Sequence, residues 1–307
     1  MLTRRTAPLL VAAVLAAAGA QADPSGSSLQ AIKMGRWHNA VALLRADQER
    51  NPDDPEIAAA LGVVFAQVGE LPDAAVALSF AEGSARYETR GLGTHASVLR
   101  ELDQETGARA LRTAEILAAQ DEGAEVSAWL SAVDDELAFG DLDAALDAGF
   151  VALSIRPDSA LVQAWLADIH LQRGEADEAG FWLWLSSREG QTYPRAAQVA
   201  ARMALDDDAP VEALGILQPA RRQRARGSAM ALLQAEAYLR VGWLTDAEDL
   251  LGRARVLYGV RPDYLAIQAR LHLARGEREE ACQVLRQATA TYPHRADARA
   301  LSDEHCR

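Results

Sequence analysis

Two histidines hold equivalent positions in a repeat, and a histidine side chain can act in acid–base chemistry. His170 and His272 are 102 residues apart, three times a 34-residue period that recurs along the chain, and Phe65 and Tyr238 hold the corresponding place in other periods. A place that accepts phenylalanine, tyrosine or histidine is typical of packing between two helices. We therefore interpret both histidines as core residues and not as general bases.

Other catalytic patterns are absent from the sequence. The remaining histidines fall at turns or chain ends without a metal-ligand spacing such as H-E-x-x-H, and there is no G-x-S-x-G, Walker loop or C-x-x-C. Acidic residues do cluster after the turns, as at Asp141 and Asp246, where a general acid–base pair could lie. Acids in the first turn of a helix also stabilise its N-terminal dipole, by about 0.3–1 kcal/mol each. We therefore predict no enzyme, no metal site and no cofactor.

A repeat of small residues must position whatever site the chain has. The segments 235–254 and 269–288 match at a constant offset of 34, and elsewhere a glycine is followed by an alanine five residues later. The glycine suits the left-handed end of a first helix, and the alanine lets a second helix pack closely against it. The spaced pairs are Gly35 and Ala40, Gly69 and Ala74, Gly140 and Ala145, Gly174 and Ala179, Gly242 and Ala247, and Gly276 and Ala281.

This helix–turn–helix period resembles the tetratricopeptide repeat (TPR), in the form found in exported bacterial proteins. The resemblance implies an all-α, right-handed α-solenoid of helix–turn–helix repeats with a period of 34. We divide the chain into a signal peptide at 1–22, two N-terminal repeats at 23–88, an irregular unit at 89–125, five repeats at 126–295 and a C-terminal capping helix at 296–307.

Two departures from the period are visible. An excess of three residues separates the second repeat from the next regular one, and we place it in Arg86–Thr94, before a hairpin from His95 to Gln120. Asp208 stands where a turn glycine is expected, which predicts a longer or looser turn.

The N-terminus predicts export. Arg4 and Arg5 precede an apolar run and a small-x-small site, so we expect signal peptide cleavage after Ala22 and a periplasmic product. An uncleaved anchor is the alternative, although the run is shorter than the roughly 20 residues that span a bilayer. No later stretch predicts a membrane span. The net charge of −13 disfavours binding to nucleic acid or anionic lipid.

Cys282 and Cys306 are the two cysteines of the chain. In an exported protein they predict a disulfide, because an antiparallel capping helix would bring Cys306 back to the start of the last second helix. A metal or redox role, with His305 beside Cys306, is the alternative.

The resemblance also implies a binding groove along the first helices. Two rows of residues with the 34-residue period would line it: the charge row Asp134, Asp168, Arg202, Glu236 and Arg270, and the leucine row Leu137, Leu171, Leu205, Leu239 and Leu273. Together they would suit an extended or helical peptide. The alternative is that the leucines pack between helices and the charges are merely solvated.

Trp182 and Trp184 lie on one second helix, where at least one must face away from its hairpin partner. An exposed tryptophan would be an anchor for a protein or a sugar ring, whereas a buried one is core.

The sequence therefore favours a non-catalytic scaffold for protein partners in a bacterial envelope machine, such as one for pilus assembly, polysaccharide export or outer-membrane biogenesis. The alternative is a carbohydrate-binding module of an export or peptidoglycan complex. The sequence does not indicate the oligomeric state.

Overall fold

The structure is a computed structural model that describes residues 24–84, 87, 91–188, 193–222, 228–258, 260, 262–291 and 296–306. The expected signal peptide lies outside these residues. Within them all regular structure is helical, in seventeen helices that follow one another as hairpins. The fold class predicted from the sequence, an all-α array of helix–turn–helix repeats, is confirmed.

The described helices form two compact units, one up to residue 128 and the other from residue 129, and helix α7 contains the boundary. The helices up to and including α7 are α1 (Gly26–Lys33), α2 (Trp37–Arg50), α3 (Pro55–Val68), α4 (Leu71–Ala81), α5 (Leu92–Glu101), α6 (Glu105–Leu117) and α7 (Glu122–Phe139).

The remaining helices belong to the second unit. They are α8 (Leu142–Ile155), α9 (Ala160–Gln172), α10 (Ala176–Ser187), α11 (Pro194–Asp206), α12 (Pro210–Arg222), α13 (Ser228–Val241), α14 (Leu244–Tyr258), α15 (Pro262–Ala274), α16 (Arg278–Thr291) and α17 (Ala296–His305). The odd-numbered helices up to α15 are the first helices of their hairpins, and the even-numbered ones are the second helices.

The close approach of the two helices of a hairpin depends on small residues. The register alanines have no exposed surface, and at Gly62 an added Cβ would lie 2.5 Å from the side chain of Leu78. Larger side chains would separate the helices and open gaps in the core. The alanines that follow a left-handed turn residue by five positions and have no exposed surface are Ala40, Ala74, Ala108, Ala145, Ala179, Ala213, Ala247 and Ala281.

Asp208 takes the place of the turn glycine without changing the turn. Its φ is 55°, in the left-handed region, and the Ala209 N–H donates to the Ala204 carbonyl at 2.8 Å. The regular turn at Gly174 has the same bond, from the Glu175 N–H to the His170 carbonyl at 2.9 Å. The expectation of a longer or looser turn is therefore wrong, because aspartate is among the few residues that tolerate this conformation.

The turn at Asp103 shows where the three residues in excess of the 34-residue period lie. It adopts a φ of 58° between α5 and α6 and lies 34 residues after Gly69, which itself lies 34 after Gly35. The next left-handed turn, at Gly140, comes 37 residues later. The three extra residues therefore lie between Asp103 and Gly140, where α7 is 18 residues long, and their placement in Arg86–Thr94 is wrong.

In the second unit, successive first helices pack side by side. Helix α9 contacts α11, α11 contacts α13, and α13 contacts α15. The last helix, α17, packs against both α15 and α16, as expected for a capping helix. A continuous row of first helices thus presents the residues at the 34-residue period to one another.

Candidate functional site

The charge row forms ion pairs between neighbouring first helices. Arg202 Nη1 on α11 donates to Asp168 Oδ1 on α9 at 2.8 Å, and Arg270 Nη1 on α15 lies 2.9 Å from Glu236 Oε2 on α13. The structure thus brings four of the five predicted charges together in two pairs. Acidic and basic residues alternate from Asp168 to Arg270 along the row, so each arginine pairs with the acid one repeat earlier.

A residue outside the row completes the network. Arg195, in the first turn of α11, donates through Nη1 to Asp168 Oδ2 at 2.8 Å and through Nη2 to Asp134 Oδ1 at 2.9 Å. Its guanidinium carbon also lies 3.4 Å from the centroid of the Trp165 ring. One side chain therefore connects α7, α9 and α11, and we call it the Arg195 clamp.

Burial explains why Asp168 needs two arginines. Its side chain is 1% exposed, and it also accepts a hydrogen bond from Gln172 Nε2 at 3.2 Å. A carboxylate so far from water is tolerated only when it is paired and hydrogen-bonded. By contrast Asp134, Arg202 and Arg270 keep 35–41% of their side-chain surface exposed, so that these three can still meet a partner.

Sequence reasoning missed Arg195 and Trp165 because neither follows the period. The residues one repeat from Trp165 are Ser131 and Val199, and those one repeat from Arg195 are Leu161 and Ala229. The available signal was helical spacing. Trp165 precedes Asp168 by three residues and Arg195 precedes Arg202 by seven, so that each lies on the face of the row residue that it serves.

The leucine row is mostly half-exposed on the same first helices. Leu205 is the exception at 3%, because it packs in the core cluster with Ala213 and Leu217 of α12. The four half-buried members of the row are Leu137, Leu171, Leu239 and Leu273. The row therefore packs and presents apolar surface at once.

The two histidines hold turns. His170 Nδ1 lies 2.6 Å from Glu175 Oε2, and Arg173 Nε donates to Glu175 Oε1 at 2.9 Å. Hydrogen bonds from Arg173 and then from His170 hold the pKa of Glu175 below its usual value. His272 Nδ1 repeats the contact with Glu277 Oε2 at 2.7 Å. Each histidine thus bridges a first helix to the start of its second helix.

The two tryptophans of α10 differ in exposure. Trp184 is 59% exposed and Trp182 is half-buried. The Trp184 ring lies 6.4 Å from that of Phe181, itself 53% exposed, and the Arg188 guanidinium carbon lies 5.6 Å from its centroid. Trp184 is therefore the member of the pair that faces solvent.

Cys282 and Cys306 are joined in a disulfide, with their Cα atoms 5.6 Å apart. In the part of the chain that the structure describes, no cluster of three His, Cys, Asp or Glu side chains could hold a metal ion. Nor does any described helix have the length and apolarity to cross a membrane.

Comparison with known proteins identifies the architecture. No family model matches the chain, and no curated protein does. Among solved structures, yeast Tom70 superposes with a TM-score of 0.51 at 14% identity, over 96% of this chain and 69% of that one. The APC/C hetero-tetramer Cut9-Hcn1 gives 0.54 at 16% identity over 92% of this chain. A thermophilic TPR protein of Thermus thermophilus gives 0.49 at 23% identity, over 59% of this chain and 98% of that one.

The chain shares the fold of the Tom70 and Cut9-Hcn1 structures, an all-α solenoid of tetratricopeptide-like repeats. It spans 55% of the Cut9-Hcn1 chain that it matches. In this chain, the clamp and the two rows occupy first helices, whereas Trp182 and Trp184 occupy a second helix.

Proposed function

We propose that this chain is an exported, non-catalytic TPR adaptor that binds a protein partner along the first helices of residues 129–274. The partner belongs to a bacterial envelope machine, such as one for pilus assembly, polysaccharide export or outer-membrane biogenesis. The observation that carries the proposal is the Arg195 clamp, which connects three successive first helices beside a half-exposed leucine row. A surface held in place before binding loses little conformational entropy when a partner docks.

The chemistry of this surface suits a peptide with both apolar and acidic residues. Leu171 and Leu239 offer apolar contact at a repeat spacing, and the exposed parts of Arg202 and Arg270 offer hydrogen bonds to carboxylates. Affinity would come from the leucines, and the order of charges would set the register of the peptide.

The non-catalytic part of the proposal rests on how the acids are used. Asp168 and Glu236 are bound to arginines of neighbouring helices, and His170 is bound to Glu175 at a turn. These groups fix the positions of helices, which is a sufficient reason for their presence.

Export is supported by two independent features. Arg4 and Arg5 precede an apolar run near the N-terminus, and Cys282 and Cys306 are joined in a disulfide. Disulfides persist in oxidising compartments such as the bacterial periplasm.

The proposal is tested by recovery of partners from the native envelope after chemical crosslinking. Leu171→Glu and Leu239→Glu each place a charge in the leucine row, and Val211→Glu is the matched control, since Val211 is 67% exposed on second helix α12. Circular dichroism first checks that all three variants keep their helical content. We expect a defined protein to be recovered with the parent and the control but lost with the two row variants. Equal recovery by all variants would count against this surface.

A further inference from the structure

Helix α10 carries an exposed stripe that the proposed function does not use. Its members are Asp177, Phe181 and Trp184 in the helix and Arg188, the residue that caps its C-terminus with helical backbone angles; spacings of four, three and four residues place them on one side. All four are exposed, and the two aromatic rings are 53% and 59% exposed. Two large aromatic side chains in contact with each other and with solvent mark an interaction surface.

The repeat itself shows that these positions do not need aromatic residues. The places of Phe181 and Trp184 recur on the other second helices, where they are again exposed. In α12, α14 and α16 the place of Phe181 is taken by Gly215, Asp249 and Gln283, and that of Trp184 by Gln218, Gly252 and Arg286. Helix α8 has one aromatic residue, Phe150, in the place of Trp184, and Asp147 in the place of Phe181. The aromatic pair is therefore specific to α10 and is not a packing requirement of the fold.

The stripe is self-complementary about its centre. Phe181 and Trp184 lie at equal distances from the midpoint between Trp182 and Leu183, and so do Asp177 and Arg188. A twofold axis through that midpoint, perpendicular to the helix, would bring a second α10 alongside in the antiparallel direction. Phe181 would then face Trp184 of the second copy, and Asp177 would face Arg188 of the second copy.

We propose that α10 is a homodimer interface, in which two copies of this chain pack their α10 helices antiparallel. The contact is isologous, so each interaction occurs twice. Two aromatic pairs form its centre, and an ion pair closes each end about 16 Å apart along the helix, given a rise of 1.5 Å per residue. This inference does not depend on the partner that binds the first helices.

The charges select a second copy over other occupants. A sugar ring would use the aromatic faces but would have no use for an acid and a base placed symmetrically at the two ends. The stripe is the complement of itself read in reverse, which is the property that an isologous interface requires.

Charge reversal tests the geometry directly. Asp177→Arg leaves two basic residues in each stripe and Arg188→Asp leaves two acidic ones, so each variant opposes like charges at both ends of its own dimer. We expect analytical ultracentrifugation of protein expressed from the full-length sequence to show a dimer, and each single reversal to weaken dimerisation by about tenfold. The double variant restores both pairs, and so does an equimolar mixture of the two single variants, because only the heterodimer then matches every charge.

Further variants separate the aromatic contribution from general surface effects. Trp184→Ala removes the central contact and should leave a monomer, whereas Val256→Ala, at a site 68% exposed on α14, should leave the dimer intact. A protein that is monomeric at every concentration overturns the proposal. A dimer that is insensitive to Trp184→Ala also overturns it, and so does a mixture of single reversals that stays dissociated. A monomer whose tryptophan fluorescence responds to added glycan, and no longer responds after Trp184→Ala, would overturn it as well.

Discussion

Arg195 lies over Trp165, with 3.4 Å between the guanidinium carbon and the centroid of the indole ring. The stack positions the two ends of the guanidinium toward different carboxylates, Asp134 on α7 and Asp168 on α9. A planar fork can serve two acids at once, whereas an ammonium group is a single point of charge. The clamp is therefore specific to arginine.

Loss of the clamp should destabilise the second unit. Arg195→Ala leaves Asp168 buried with Arg202 as its remaining arginine, and we expect the free energy of unfolding to fall by about 2–3 kcal/mol. Arg195→Lys should recover only part of this. Urea denaturation measures the change, with Arg286→Ala on an exposed site of α16 as control. If Arg195→Ala and Arg286→Ala behave alike, the clamp does not stabilise the fold.

Asp208 offers a stabilising substitution. Asp208→Gly keeps the left-handed turn at a φ of 55° and removes the steric cost that a side chain has there. We therefore expect the free energy of unfolding to rise by about 0.5–1 kcal/mol. The reverse change at a matched turn, Gly174→Asp at a φ of 79°, should lower the free energy of unfolding by a similar amount. Thermal unfolding distinguishes the two. Stabilisation by both substitutions, or by neither, would contradict the equivalence of these turns.

His95 should make the stability of the first unit depend on pH. It is 2% exposed, its Nδ1 lies 2.5 Å from Tyr87 Oη, and burial lowers its pKa. Burial also raises the pKa of Tyr87, so the phenol stays protonated and donates to a neutral imidazole.

The sign follows from proton binding. Below an unfolded-state pKa of about 6.5, the unfolded chain binds a proton at His95 that the native chain does not. The free energy of unfolding should therefore fall as pH drops from about 7 to 5. His95→Gln should reduce this slope, and His38→Gln, at an exposed site, should not. Equal slopes in parent and His95→Gln would mean that His95 titrates as if it were in water.

The disulfide should stabilise the capping helix. Cys282→Ser releases a link that spans 24 residues, and we expect the free energy of unfolding to fall by about 2–4 kcal/mol. Cys306→Ser should cost the same, and a reducing agent should affect the parent alone. Thiol titration of the untreated exported protein should find no free thiol, and two free thiols would refute the link.

The register of small residues was sufficient to predict the fold, because each alanine and each left-handed turn has a local steric reason that the sequence displays. Asp103 and Asp208 show the limit of that approach. Glycine indicates a left-handed turn in a sequence, but an aspartate in the same conformation cannot be recognised from its residue type alone. Because the turn at Asp103 was not recognised, the three extra residues were placed in the wrong segment. Asp208 led us to expect an irregular turn, whereas the turn in the structure is regular.

The candidate site was only partly predictable, for a different reason. Periodicity identified the members of both rows, since equivalent residues on stacked helices must be neighbours. It could not assign their partners, because Arg195 reaches Asp134 from 61 residues away and has no equivalent in other repeats. Contacts between non-equivalent residues depend on how the helices are placed in three dimensions, and the repeat pattern alone does not contain them.

We propose that the first helices of residues 129–274 bind a protein partner in the envelope. Photo-crosslinking in living cells tests it most directly, with the same photoreactive amino acid placed at Leu171 on α9 or at Val211 on α12. We predict one defined crosslinked protein at Leu171, lost when Leu239→Glu is added, and none at Val211. The same products at both positions, or none at Leu171 while the protein is exported and folded, would show that the first helices do not bind this partner.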